Sequence, residues 1–507
     1  MLDAAHARSP RISIAVIAVI AVIGAGAFVV LATMNSSGYR YGAADQAFYI
    51  PAIQHHLNPA LFPRDLAVLG AHGRFTPFDE IIAALVRMTG VSLPALFFVA
   101  YVASLVLVYV SLIMLGRPFY ASTWTTAALV AAYTLRHRIA RTGANTLEGY
   151  FHPRILVLAL GTLALYAVLR RRATLAWMLI AIGAPLHPTT ALFFAVWVGI
   201  ALAVNEPKQR RTLGALTLVA AIVGVALLVR GTLTLAPMDP AWVAALTGKD
   251  YIFPTDWGIQ TWALNLIYPI VIVGVFFMRR RAGVLLQGEA GIVAGCLALV
   301  AIFLASWPLL MWHSTLAVQL QLSRIFWMAD LLATIYAVWL VAEAGAAGSA
   351  RVTRAQIVCA AMVVIAMARG WYTLRHDHPG RPMFEIVLPD DEWTDVGRWL
   401  RDHTPQDAAL LADPGHAWRY GSSLRVSAER DVFIEDVKDI ALGMYDREIA
   451  RRNMERRQLV GDFAALTPEQ MQALAARYDL QYLVTDRGDL PLAEVYRNAR
   501  FHVYRLK

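Results

Sequence analysis

Cysteine and charge are both scarce in this chain. Its two cysteines, Cys296 and Cys359, each lie inside an apolar run, so neither a disulfide framework nor a cysteine metal site can be assembled. Only 16% of the 507 residues are charged, against 58% hydrophobic, whereas soluble domains carry about a quarter charged residues. An ordinary soluble enzyme is excluded and a polytopic membrane protein is expected. The formal net charge of +9 does not argue for a nucleic-acid partner. The basic residues come as short clusters between apolar runs, which is the distribution that membrane topology requires.

What is abundant is long apolar sequence. Runs at 12–33, 93–115, 121–135, 155–169, 175–186, 191–204, 213–229, 262–278, 292–310, 325–341 and 357–368 predict about eleven transmembrane helices. The first run is longer than a signal-peptide core, and no A-x-A cleavage site stands out, so it is read as a retained helix. If every run crosses once, Arg8 with Arg11, Arg117, the 170–172 and 279–281 arginines, Lys208 with Arg210 and Arg211, and Arg351 with Arg354 share one side. The positive-inside rule makes that side the cytoplasm, with the carboxyl terminus outside; the expected location is a bacterial-type inner membrane. The 175–204 stretch must break at "LHPTT", because one helix of about 45 Å would overrun a hydrocarbon core of about 30 Å.

The exterior then receives 35–92, 136–152, 231–261, 311–324 and everything after Gly370. Arg136, His137, Arg138 and Arg141 violate the charge rule there and mark a candidate anion site, with a shifted helix boundary as the plainer reading. The chain thus divides into a membrane domain, 1–370, and an extracytoplasmic α/β domain, 371–507. In the latter, "PDDEWTDVGRWLRDHTP" and "TPEQMQALAARYD" predict capped amphipathic helices, while "AALLAD", "LQYLVTD" and "FHVYRLK" predict strands. It carries no G-x-G-x-x-G and no Walker sequence.

The polar residues of interest begin just past the first helix, in "GYRYGAADQAFYIPAIQHHLNPALFPRD". Asp45 opens a segment with Phe48, Tyr49, Ala52 and Ile53 at helical spacing, which predicts an amphipathic helix lying along the membrane. Asp45 is either the cap of that helix or a working carboxylate. "FHPR" and "LHPT" each place His-Pro at the outer start of an inward-running helix, where Pro suits the first position. Their free N–H groups, with His152, Arg154 and His187 beside them, make a candidate anion site, to which Arg138, Arg141 and Arg324 add charge. Tyr49 is a candidate for stacking on a sugar face, with membership of an interfacial aromatic belt as the alternative. Asp330, about two turns into its helix, is either paired locally or part of a pathway.

A short inner tail, one helix, a long outer loop with an early Asp, "D-Q-x-F-Y" and "H-P-R … H-P" blocks, and an outer α/β domain resemble the C-type (GT-C) membrane glycosyltransferases. The resemblance extends to bacterial relatives of the dolichyl-phosphate-mannose protein mannosyltransferases. It implies a GT-C-like helical bundle that moves a sugar from a polyprenyl-phosphate donor to a hydroxyl of a glycan, lipid or protein at the outer membrane face. Asp45 then corresponds to the general base, and His152, Arg154 and His187 to phosphate ligands. Many members pair acidic residues in this loop, whereas Asp45 is flanked by Ala44 and Gln46; paired carboxylates for a divalent metal are therefore lacking, and no cofactor is assigned. Two alternatives remain: a secondary transporter using His187 and Asp330, and a catalytically silent scaffold presenting its soluble domain.

Overall fold

A computed structural model of the chain describes residues 14–377 and 379–507, with side chains from residue 18 onward. The amino-terminal tail with Arg8 and Arg11 lies outside the described residues. Each of the eleven apolar runs is helical over most of its described length, because side chains with no polar alternative leave the backbone to satisfy itself.

Among the described residues, eight helical stretches are long and apolar enough to cross a membrane: Ala18–Asn35, Leu93–Phe119, Pro188–Asn205, Pro207–Val229, Ile259–Arg281, Glu289–Met311, Thr315–Ala342 and Gly348–Asp377. This is a multi-pass membrane protein. The expected count of about eleven is not confirmed. Thr123–Tyr133, Pro153–Leu169 and Ala173–Gly183 have 11, 17 and 11 residues, or about 16–26 Å at helical rise, short of a core of about 30 Å. The Pro153–Leu169 helix is buried on nearly every face, packed among Leu93–Gly116, Ala173–Gly183 and Pro188–Asn205. Gly161 permits the last of these contacts, since a Cβ there would lie 2.2 Å from the Phe194 ring. The break in the 175–204 stretch is present: Ala173–Gly183 ends before Pro188–Asn205 begins.

After the last long helix, a five-stranded sheet runs in the order Asp431–Val432, Ala409–Leu411, Tyr482–Thr485, His502–Arg505, Ala493–Arg497. The first three strands are parallel and the last two antiparallel. Helices Glu392–His403 and Pro468–Tyr478 form where "DDEWTDVGRWL" and "TPEQMQALAARY" predict them. Asp391 caps the first, and a Thr467–Gln470 capping box opens the second.

The 35–92 loop is folded against this domain. Tyr39 and Arg40 pair as a parallel strand with Phe384 and Glu385. Asp65 is buried and accepts from Arg425 Nε at 2.7 Å, the Val432 amide at 3.1 Å, and Arg452. Arg425 in turn holds Asp439 through both terminal nitrogens. This network anchors the 436–445 segment over the loop. Gln46–Leu57 is a helix, as predicted, but it does not lie along a surface: positions 46 through 53 are buried consecutively. The folded loop and the soluble domain cover both of its faces, which a reading that ends at the bilayer surface does not foresee.

Candidate functional site

Asp45 stands immediately before the Gln46–Leu57 helix but makes no side-chain cap bond. Gln46 does the local work instead. Its Oε1 accepts from the Gly42 amide at 2.8 Å and its Nε2 donates to the Phe151 carbonyl at 3.0 Å. That second bond ties the helix start to the residue preceding His152, and so brings Asp45 to the 136–152 segment. The Asp45 carboxylate accepts from the Tyr150 hydroxyl at 2.6 Å and from Lys438, and lies 3.5 Å from His152 Nε2.

Both His-Pro histidines are working helix caps. His152 Nδ1 accepts from the Arg154 amide at 3.2 Å, and His187 Nδ1 from the Thr190 amide at 3.4 Å. An acceptor Nδ1 assigns the ring proton to Nε2, so His152 presents N–H toward Asp45. The rings stand 5.7 Å apart. Helices Pro153–Leu169 and Pro188–Asn205 therefore start beside each other, and their partly positive ends converge on one cavity.

That cavity, of about 100 Å³, is lined by Asp45, Tyr49, His72, His152, His187, Gln321, Arg324 and Lys438, with Tyr251 and Tyr445. Arg324 is its uncommitted cation: the one bond to its guanidinium among the described residues runs from Nε to the Thr142 carbonyl at 3.4 Å. Burial opposes ionisation of Asp45, but Lys438 and His152 outweigh it and hold the carboxyl well below the usual range. Burial and the nearby Arg154 push His152 down to about 4, against the pull of Asp45. Burial and His152 likewise push His72 down to about 4. Burial, with the charges of His152 and Arg324, lowers His187 well below an ordinary imidazole. At neutral pH the cavity thus offers a carboxylate, two cations, neutral imidazoles and two helix ends.

Asp45, Tyr49, His152, His187 and Arg324, all expected as site residues, share this cavity. Arg154, Arg138 and Arg141 do not. Arg154 is buried, spent on Glu148 and on the Gly143 carbonyl at 3.1 Å, because a buried guanidinium must find a counter-charge. Arg138 pairs with Asp250 at 3.0 Å in a neighbouring recess. Arg141 is exposed on the Arg138–Asn145 hairpin. Sequence reasoning missed Lys438, His72, Tyr150 and Gln321. Tyr150, two residues before His152, was findable; Lys438 reaches the site only through the tertiary fold. The pair invoked for transport is separated: Asp330 bonds His137 at 3.1 Å, while His187 faces His152. Among the described residues, no three His, Cys, Asp or Glu side chains are grouped to hold a metal ion. Both Asp45 oxygens are already engaged.

No family model matches this chain, and neither does any curated protein. Among solved structures, it is similar to the Archaeoglobus fulgidus oligosaccharyltransferase in its apo form, with 12% identity, a TM-score of 0.46, and coverage of 92% of this chain and 69% of that one. The complex of that enzyme with Zn and sulfate gives 13%, 0.46, 96% and 73%. Its form tethered to an acceptor peptide with the NVT sequon gives 13%, 0.45, 92% and 69%. At such scores the likeness carries no functional weight.

Proposed function

We propose that the chain is a GT-C-type membrane glycosyltransferase that moves a sugar from a polyprenyl-phosphate donor to an acceptor hydroxyl at the outer face of the cytoplasmic membrane. The observation that carries this reading is the convergence of Asp45, His152, His187 and Arg324 on one cavity, from four segments far apart in sequence. Outside the cytoplasm no nucleotide-sugar pool exists, so a lipid must bring the donor. Its leaving group is a phosphate, which needs cations and helix ends where charge develops.

In this reading the acceptor oxygen attacks the anomeric carbon as the carbon–oxygen bond to phosphate breaks. The acceptor proton passes to Asp45, and polyprenyl phosphate departs. Arg324, the Nε2–H group of His187, and Lys438 receive the phosphate, while the Nε2–H of His152 faces Asp45. Tyr150 holds Asp45 in place through its hydroxyl. A positioned base of this kind contributes roughly 10²–10⁴-fold. Lys438 lowers the basicity of Asp45 while it sits on the carboxylate; its transfer to the donor phosphate would restore that basicity when the donor is bound. Pockets that enclose ligands run roughly 300–1,000 Å³, and this one holds about 100 Å³, so donor entry requires the 438–445 segment to move.

The test is the pool of polyprenyl-phosphate sugars in membranes of cells with and without the chain. The transferase reading predicts that one lipid-linked sugar accumulates when the chain is absent. A transporter or silent scaffold leaves that pool unchanged.

A further inference from the structure

Beside the Asp45 cavity lies a second recess, of about 440 Å³, that no step above uses. Arg136, His137, Arg138 and Arg369 line it, with Asp250 as the lining carboxylate. Arg136, His137 and Arg138 are three of the four residues that break the charge distribution of the rest of the chain. Gly143 and Tyr251 line both spaces and form the wall between them. Gly143 has φ +66°, and a Cβ there would lie 3.0 Å from the Tyr251 ring, so the wall is in tight contact.

The guanidinium groups of this recess are weakly neutralised, while His137 is held by the buried Asp330. Arg369 donates to the Asn35 carbonyl at 3.3 Å and to its Oδ1 at 2.8 Å, both uncharged acceptors. Arg136 donates from Nε to the Leu147 carbonyl, and its nearest carboxylate, Glu148, is 3.8 Å away and already held by Arg154 and Asn145. The Arg138–Asp250 pair is exposed on both sides, and such pairs are worth little, so an incoming anion displaces Asp250 cheaply. The depth also matters. Arg369 lies in the last turn of Gly348–Tyr372, and Asn35 ends Ile14–Asn35, so the recess sits where two long apolar helices stop. That is the level of lipid head groups, and guanidinium forks match phosphate oxygens.

We propose that this recess binds a phosphate-class anion, separately from the Asp45 cavity. The proposal stands whether or not that cavity transfers sugar. The source is either a phospholipid head group or soluble phosphate.

The full chain is reconstituted in phosphatidylcholine nanodiscs with and without phosphatidylglycerol. Retained phosphatidylglycerol is counted by native mass spectrometry, and inorganic phosphate is titrated by thermal shift in phosphatidylcholine-only discs. Arg138→Ala, Arg138→Glu and Arg369→Gln are compared with Arg477→Gln, which lies on the outer domain. Because Arg138 is exposed, its alanine variant keeps the parent melting temperature. A severalfold loss of retained phosphatidylglycerol in the recess variants alone supports the proposal and identifies a head group. A loss of the phosphate-induced shift in those variants supports it and identifies a soluble source. Absence of both forms of binding in the parent, or binding that all variants keep, overturns it.

Discussion

Lys438, in the carboxyl-terminal domain, donates to Asp45 in the first loop, so the Asp45 carboxylate is held by a residue from the other end of the chain. The pairing depends on the network behind it, because Asp439, the next residue, is clasped by Arg425. A lysine seated on the proposed base restrains the base. Replacing it with Gln removes the leading stabiliser of the Asp45 charge, which raises the pKa of Asp45. In Lys438→Gln the acid limb of transfer activity moves to higher pH and the KM for lipid donor rises severalfold. Lys438→Arg restores part of both. A pH–rate profile on the two variants checks this.

His152 is neutral in the folded chain, with its pKa pushed to about 4, while an unfolded histidine titrates near 6.5. Between those values the unfolded state binds the extra proton, so stability contributed by the neutral ring is lost as pH falls through that window. His152→Asn keeps a capping acceptor at the helix start and removes the titration. Its melting temperature stays close to the parent value at pH 7 and falls less steeply from pH 6.5 to pH 4. His152→Ala loses the cap and about 1 kcal/mol at neutral pH.

Arg425 joins the loop to the domain through Asp65 and Asp439, all three buried. Arg425→Ala leaves the buried Asp439 without its counter-charge and Asp65 with Arg452 alone, and costs about 3–5 kcal/mol. Activity in the surviving folded fraction also drops, because the segment bearing Lys438 loses its anchor. Asp65→Asn leaves the Arg425–Asp439 pair intact and costs less. Chemical denaturation of the three proteins in matched micelles orders them.

Much of this arrangement was legible in the sequence. Apolar runs announce helices because a bilayer admits little else, and "FHPR" and "LHPT" announce helix starts because Pro is tolerated there. Helix length was less legible: hydropathy does not separate a 17-residue helix buried by its neighbours, such as Pro153–Leu169, from one that crosses alone. Arg154 stands outside the cavity because Glu148, six residues earlier, pairs with it. The same limit applies to Asp45, whose position is that of a cap. Only the bonds to Tyr150 and Lys438 separate that role from a functional one, and both depend on contacts across more than a hundred residues.

Asp45→Asn is the most direct measurement. The amide is isosteric and still accepts from Tyr150, but it cannot take a proton from an acceptor hydroxyl. Surface glycans and lipid-linked sugars are compared by mass spectrometry between cells expressing the parent and the variant at equal levels in the membrane. The account predicts loss of the product by roughly 10²–10⁴-fold, with the donor lipid accumulating. Unchanged glycans, with the parent making a detectable product, would contradict it.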